Sequence, residues 1–189
     1  GGIIGVQCDR NCKIFGPGAV TGSDFVGVNG YGVAVTMSQV DISNCGYAGA
    51  QIWDGAKISG PAVFSGNGTA ITASSAKLAE LTITGNGTGV GVGNAADTGR
   101  ITITGSTVSG NTYDGLAAEH AIKVVNSTIM DNGWSGIDAT GGTYCKETKG
   151  AATLWGSTVT GNGTSPDCGS TRECADVAND GHSARRNGR

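Results

Sequence analysis

Seven stretches of the chain alternate an apolar with a small polar residue just before a turn. Counted back three residues from the turn's pivot stand Val20, Ile42, Phe64, Ile83, Val108, Ile129 and Val159, all apolar. Counted back two stand Thr21, Ser43, Ser65, Thr84, Ser109, Met130 and Thr160, nearly all small and polar. Period-two alternation describes a strand with one buried and one wet face, so the first column points inward and the second outward. The pivots Ser23, Cys45, Asn67, Asn86, Asn111, Asn132 and Asn162 fall 22, 22, 19, 25, 21 and 30 residues apart. A period near 22 without heptads or helical spacing predicts a solenoid, one turn of chain per repeat.

Two further strands accompany each pivot. After it come Gly27-Val28, Gly49-Ala50, Gly89-Val90-Gly91-Val92, Gly115-Leu116-Ala117-Ala118 and Gly136-Ile137-Asp138-Ala139. Before the repeat come Val35-Thr36-Met37, Ala56-Lys57-Ile58, Ile101-Thr102-Ile103, Ile122-Lys123-Val124 and Thr153-Leu154-Trp155. Three short strands per turn make an all-β parallel β-helix of about seven coils, a rod of about 34 Å at one strand spacing per coil. Asn suits the pivot because it tolerates a left-handed corner and its amide stacks along the axis. Of the Asn-x-Ser/Thr sequons at Asn67, Asn86, Asn126 and Asn162, three are pivots, which assigns them to corners rather than glycan.

Composition narrows the class. The 35 glycines of 189 residues have no G-x-y period, so collagen is excluded and they are expected at corners needing positive φ. Net charge is −3 with 14% charged residues, so no polybasic surface points to nucleic acid or anionic lipid. No apolar run reaches membrane-spanning length and no signal peptide is visible. The chain starts at Gly1 without Met, which suggests a processed or excised segment. Cys8, Cys12, Cys145, Cys168 and Cys174 sit near the two ends without histidines at zinc spacing, so terminal disulfides in an oxidising compartment are expected. Cys8 is expected to pair with Cys12, Cys145 with Cys168 or Cys174, and Cys45, at a pivot, to be a buried free thiol. The β-helix is expected over 1–164, with 165–189 a polar, cysteine-containing cap or tail.

This repeat resembles the right-handed parallel β-helix proteins of the pectin-lyase-like superfamily over essentially the whole chain. The superfamily holds lyases, hydrolases, epimerases, tailspikes and non-catalytic surface proteins, so the resemblance implies fold more than activity. It implies sugar sites on the face after the pivot, here Asn111-Thr112-Tyr113-Asp114-Gly115-Leu116 and Asn132-Gly133-Trp134-Ser135-Gly136-Ile137-Asp138. Both segments resemble the Asn-Thr-Asp-Gly-Ile-Asp element of polygalacturonases. Tyr113 intervenes before Asp114, however, and no Asp-Asp pair, Gly-His-Gly or Arg-Ile-Lys follows.

An inverting glycosidase needs an acid and a base carboxyl flanking the bond, and Asp114, Asp138 and Glu119 are the candidates, with His120 beside them. Carboxylates on turns are ordinarily solvated, and a turn histidine likewise. Polyuronate lysis needs a basic cluster that the coils lack, having only Lys57, Lys77, Arg100 and Lys123. Two places after the pivot, Phe25 and Tyr47, and again Tyr113 and Trp134, should be neighbours on successive coils, as a corner-covering ladder or a platform for sugar rings. Outward Thr-x-Thr rows, with Thr82, Thr107, Thr128 and Thr158, also resemble ice-binding solenoids. Gly2-Ile3-Ile4-Gly5-Val6 already reads as a core strand, which leaves a strand edge open at that end.

These features favour a secreted or extracellular surface scaffold module over an enzyme, assembling end to end or on a preceding domain. The alternatives are a glycan-binding or polysaccharide-cleaving protein and an ice-binding protein. No cofactor, metal, nucleic acid or membrane span is expected.

Overall fold

The computed structural model describes residues 2–93, 99–118, 120–139, 151–163, 177–178 and 185–187. All of its pairings are parallel, and they sort into three faces. Strands are numbered in chain order. The first face holds β1 (Ile4–Cys8), β3 (Val26–Gly30), the front of β5 (Ala48–Ser65) and of β6 (Thr69–Thr84), β7 (Thr88–Val92), β10 (Leu116–Ala118), β13 (Ile137–Asp138) and β16 (Val177–Ala178). The second holds the fronts of β2 (Cys12–Thr21) and β4 (Val35–Ser43), the middles of β5 and β6, then β8 (Arg100–Thr104), β11 (Ala121–Val125), β14 (Ala151–Trp155) and β17 (Arg185–Asn187). The third takes the ends of β2, β4, β5 and β6, followed by β9 (Thr107–Ser109), β12 (Thr128–Met130) and β15 (Thr158–Thr160). Seven rungs on this third face give six full turns from pivot to pivot, three strands to a coil.

Each face contributes at least one continuous apolar row to the core. The first row is Val6, Val28, Ala50, Ile71, Val90, Leu116 and Ile137; the second is Ile14, Met37, Ile58, Leu78, Ile103, Val124 and Leu154. The third is the apolar column of the sequence pattern, and its five inner members are fully buried. Only Val20 and Val159, in the first and last rungs, are half-buried, because each lacks a described rung on one side. The neighbouring small polar column is half-exposed or exposed throughout, as alternation requires.

The pivots build an amide ladder inside the corner. Nδ2 of Asn67, Asn86, Asn111 and Asn132 each donates to Oδ1 of the next pivot, at 2.9, 3.1, 2.8 and 2.8 Å. Each of those Oδ1 atoms also accepts the backbone N–H of the preceding pivot, and Asn67 Oδ1 accepts that of Cys45. One expectation is corrected here. The left-handed residue is not the pivot but its predecessor: Gly22, Asn44, Gly66, Gly85, Gly110, Asp131 and Gly161 have φ between 53° and 69°. That twist turns the pivot side chain inward, where the amide is used for hydrogen bonding alone.

A second ladder lies at the corner between the second and third faces. Ser106 Oγ accepts from Leu81 N at 3.0 Å, Ser127 Oγ from Ser106 N at 3.1 Å and Ser157 Oγ from Ser127 N at 3.2 Å. Each hydroxyl in turn donates to the carbonyl two residues back.

Glycines serve two purposes, and positive φ is only one. At Gly115 an added Cβ would lie 2.6 Å from Gly136 O, 2.9 Å from Asn132 Nδ2 and 3.0 Å from Ile129 Cγ2. The pivot amide and the next rung's carbonyl occupy that space. Gly115→Ala is therefore expected to cost about 2 kcal/mol, by overpacking against backbone that cannot move aside. Gly91→Ala, whose Cβ would meet only Thr69 Cγ2 at 4.0 Å, serves as the control in urea denaturation and should be near neutral.

Cys8 and Cys12 form a disulfide across the first corner of the first rung, and Cys45 is a buried free thiol. Cys145, Cys168 and Cys174 lie outside the described residues, as does most of 165–189.

Candidate functional site

The turn after the pivot brings aromatic residues of successive rungs together in two pairs. Phe25 and Tyr47 stack there with ring centroids 4.7 Å apart and planes 12° from parallel. Tyr113 and Trp134 meet at 4.6 Å with planes tilted by 54°. Thr69 and Thr88 occupy the two rungs between the pairs, half-buried and in register with Ala48 rather than with Tyr47. Backbone bonds pin each pair: Tyr47 N donates to Phe25 O, and Trp134 N to Tyr113 O. Tyr113 is 44% exposed and Trp134 half-buried, so their outer surfaces are open to a ligand.

The candidate carboxyls behave differently from solvated turn residues. Asp114, next to Tyr113, is buried, and its Oδ1 accepts the Ser135 N–H at 3.0 Å. It holds the turn of the following rung as the pivot amides hold theirs. Ser135 is itself fully buried, and its Oγ has no partner among the described residues. Asp138 is also buried, although it stands in the outward row of the first face beside Ala117. It sits three residues beyond Ser135, the rung neighbour of Asp114, about 10 Å along the strand. Glu119 lies outside the described residues.

His120 is half-exposed, with its backbone N–H on Gly99 O at 3.2 Å. It stands at the far end of β10, six residues and about 20 Å of extended chain from Asp114. The structure thus brings Tyr113, Trp134 and Asp114 together and sets His120 apart. Among the described residues no group of three or more His, Cys, Asp or Glu side chains could hold a metal ion. No described helix is long and apolar enough to cross a membrane.

A further aromatic pair, not evident from the pivot columns, lies elsewhere on the rod. Tyr31 and Trp53 lie edge to face at 6.2 Å on the far side of the first face. Beside them, Asn29 Nδ2 donates to Gln7 Oε1 and Gln7 Nε2 to Asp9 Oδ1, both at 2.9 Å. A shallow depression between Gln51, Trp53, Thr72 and Ser74 adjoins the pair. The available signal was the interval: these aromatics are 22 residues apart, the spacing of the first pivots.

Comparison with known proteins bears on the fold. The family model described as right handed beta helix region matches residues 4–181. No curated protein and no solved structure matches the chain.

Proposed function

Because the chain belongs to the right-handed β-helix family, we propose that it serves as a secreted structural or surface-scaffold module whose first rung receives further β-structure. The observation that carries this reading is the apolar end at β1 and β2. Val6, Ile14 and Val20 are partly exposed, whereas their partners one rung on, Val28, Met37 and Ile42, are 0%, 1% and 0% exposed. Ile3 and Phe15 stand 70% and 68% exposed beside them. Among the described residues β1 pairs only with β3, and its other edge has no strand. An open edge above an apolar core favours another coil, either from a second copy or from a preceding segment. Head-to-tail stacking of copies is a heterologous contact and propagates into fibres.

The edge can be tested with one substitution. Val26 N donates to Ile3 O, so the N–H of Ile4, the residue paired with Val26, points away from β3 toward the open edge. Ile4→Pro should remove that donor, leave the inner coils folded and shorten or abolish assemblies in sedimentation velocity. Assemblies unchanged by Ile4→Pro would remove the edge from the account.

Tyr113 and Trp134 favour a second reading, the binding of neutral glycans by stacking on the tilted pair. Trp134→Ala should then lower oligosaccharide affinity about tenfold, read by calorimetry, with the melting temperature nearly unchanged. Release of new reducing or unsaturated ends from a polysaccharide, abolished by Asp114→Asn or Asp138→Asn, would put catalysis first.

A further inference from the structure

The register of the second face lines up the chain's scattered lysines. One outward row runs Lys13, Thr36, Lys57, Lys77, Thr102, Lys123 and Thr153, each directly paired with the next across adjacent strands. All four lysines are exposed, and the backbone register continues the row to Arg185. Among the described residues no carboxylate pairs with any of them. Asp54 and Glu80 stand three residues from Lys57 and Lys77, about 10 Å along the strand, at the corners. Lys57 and Lys77 are direct cross-strand neighbours, and like charges so placed destabilise a sheet. A chain with net charge −3 carries this uncompensated cationic line on a face separate from Tyr113 and Trp134.

We propose that this row binds a linear acidic polysaccharide lying along the solenoid axis. From Lys13 to Lys123 is five rung spacings, about 24 Å. One rung, about 4.8 Å, is close to the length of one sugar in an extended chain, so successive uronate carboxylates meet successive rungs. Thr36 and Thr102 in the row, with Ser38, Ser59 and Thr104 in the adjacent outward row, present hydroxyls to the sugar hydroxyls between the charges. Single-stranded nucleic acid fits less well. Its binders interleave aromatics with basic residues to stack the bases, and here the exposed aromatics of the adjacent row, Phe15 and Trp155, lie only at its two ends. The row holds no carboxyl that could act on the polymer, so the step is binding without cleavage.

The test is alginate binding by calorimetry at ionic strength on the order of 0.01 M, where charge attraction is least screened. The wild-type chain should bind, and added salt should weaken the binding steeply. Lys57→Gln with Lys77→Gln should lower affinity about tenfold or more, while Lys57→Arg with Lys77→Arg retains it. The Gln pair should melt no lower than wild type, since like-charge repulsion is relieved. Tyr113→Ala with Trp134→Ala should leave alginate binding unchanged, which separates this row from the glycan reading above. Absence of wild-type binding, indifference to the Gln pair, or equally tight binding of oligo-dT would overturn the proposal.

Discussion

Ile83→Asp is expected to unfold the rod or to destabilise it by about 5 kcal/mol or more, while Thr84→Asp, one residue on, shifts stability by about 1 kcal/mol or less. Ile83 is fully buried in the third-face row, between Phe64 on one rung and Val108 on the next. A carboxylate there has apolar neighbours above and below and no partner, so it must be desolvated or protonated at a cost. The isoleucine's own burial, about 2 kcal/mol, is lost as well. Thr84 belongs to the wet column, and the same charge remains in water. The two variants place the same carboxylate on opposite sides of one strand. Circular dichroism melts read the result, and equal stability of the pair would contradict the alternation on which the fold rests.

Asn111→Leu should cost about 3 to 5 kcal/mol despite similar volume, because it breaks the middle of the amide ladder. Asn111 Oδ1 accepts two bonds, from Asn86 N at 3.0 Å and Asn86 Nδ2 at 3.1 Å. Its own Nδ2 donates to Asn132 Oδ1 at 2.8 Å. All three pivots are buried, so leucine leaves Asn86 N with no acceptor and no water to replace it, while Asn86 Nδ2 is left with Phe64 O and Thr84 O. Asn111→Asp restores the acceptor but not the donor, and it places a carboxylate against Asn132 Oδ1. It should therefore also destabilise, which an acceptor-only role for Asn111 does not predict. Urea denaturation of both variants, with Thr82→Leu at an exposed strand position as control, checks the ladder. A loss below about 1 kcal/mol for both would contradict it.

The third face could be read residue by residue because its alternation lies within single short strands. The inward column, the outward column and the aromatic neighbours Phe25 with Tyr47 and Tyr113 with Trp134 all follow from the period. The other corner offered no such column. Its left-handed residues are Gln39, Glu80, Gly105, Asn126 and Gly156, a set with no common side chain. Only Ser106, Ser127 and Ser157, in the later coils, add a ladder there, while Val40, Ala62 and Leu81 fill the corner with apolar groups. Five of the seven rungs share the backbone twist, the other two carry Gly16-Pro17 and Gly60-Pro61, and no side-chain chemistry is common to them.

The lysine row was hidden for a related reason. Lys13, Lys57, Lys77 and Lys123 are separated by 44, 20 and 46 residues, about two, one and two periods, and the intervals alone do not align them residue for residue. Coil lengths vary at the corners, so strand pairing is needed to bring these residues into line. Asp114 and Asp138 show the opposite limit. Both stand in or beside turns where exposure is the ordinary expectation, and their burial depends on the packing of neighbouring rungs.

Electron microscopy of the purified chain at rising concentration tests the scaffold reading most directly. Rods should lengthen with concentration through contacts at the first rung, with a repeat of about 34 Å per copy when stacking is head to tail. Ile4→Pro should return single short rods. Single particles at every concentration, or side-by-side association that leaves Ile4–Cys8 uncovered, would contradict it.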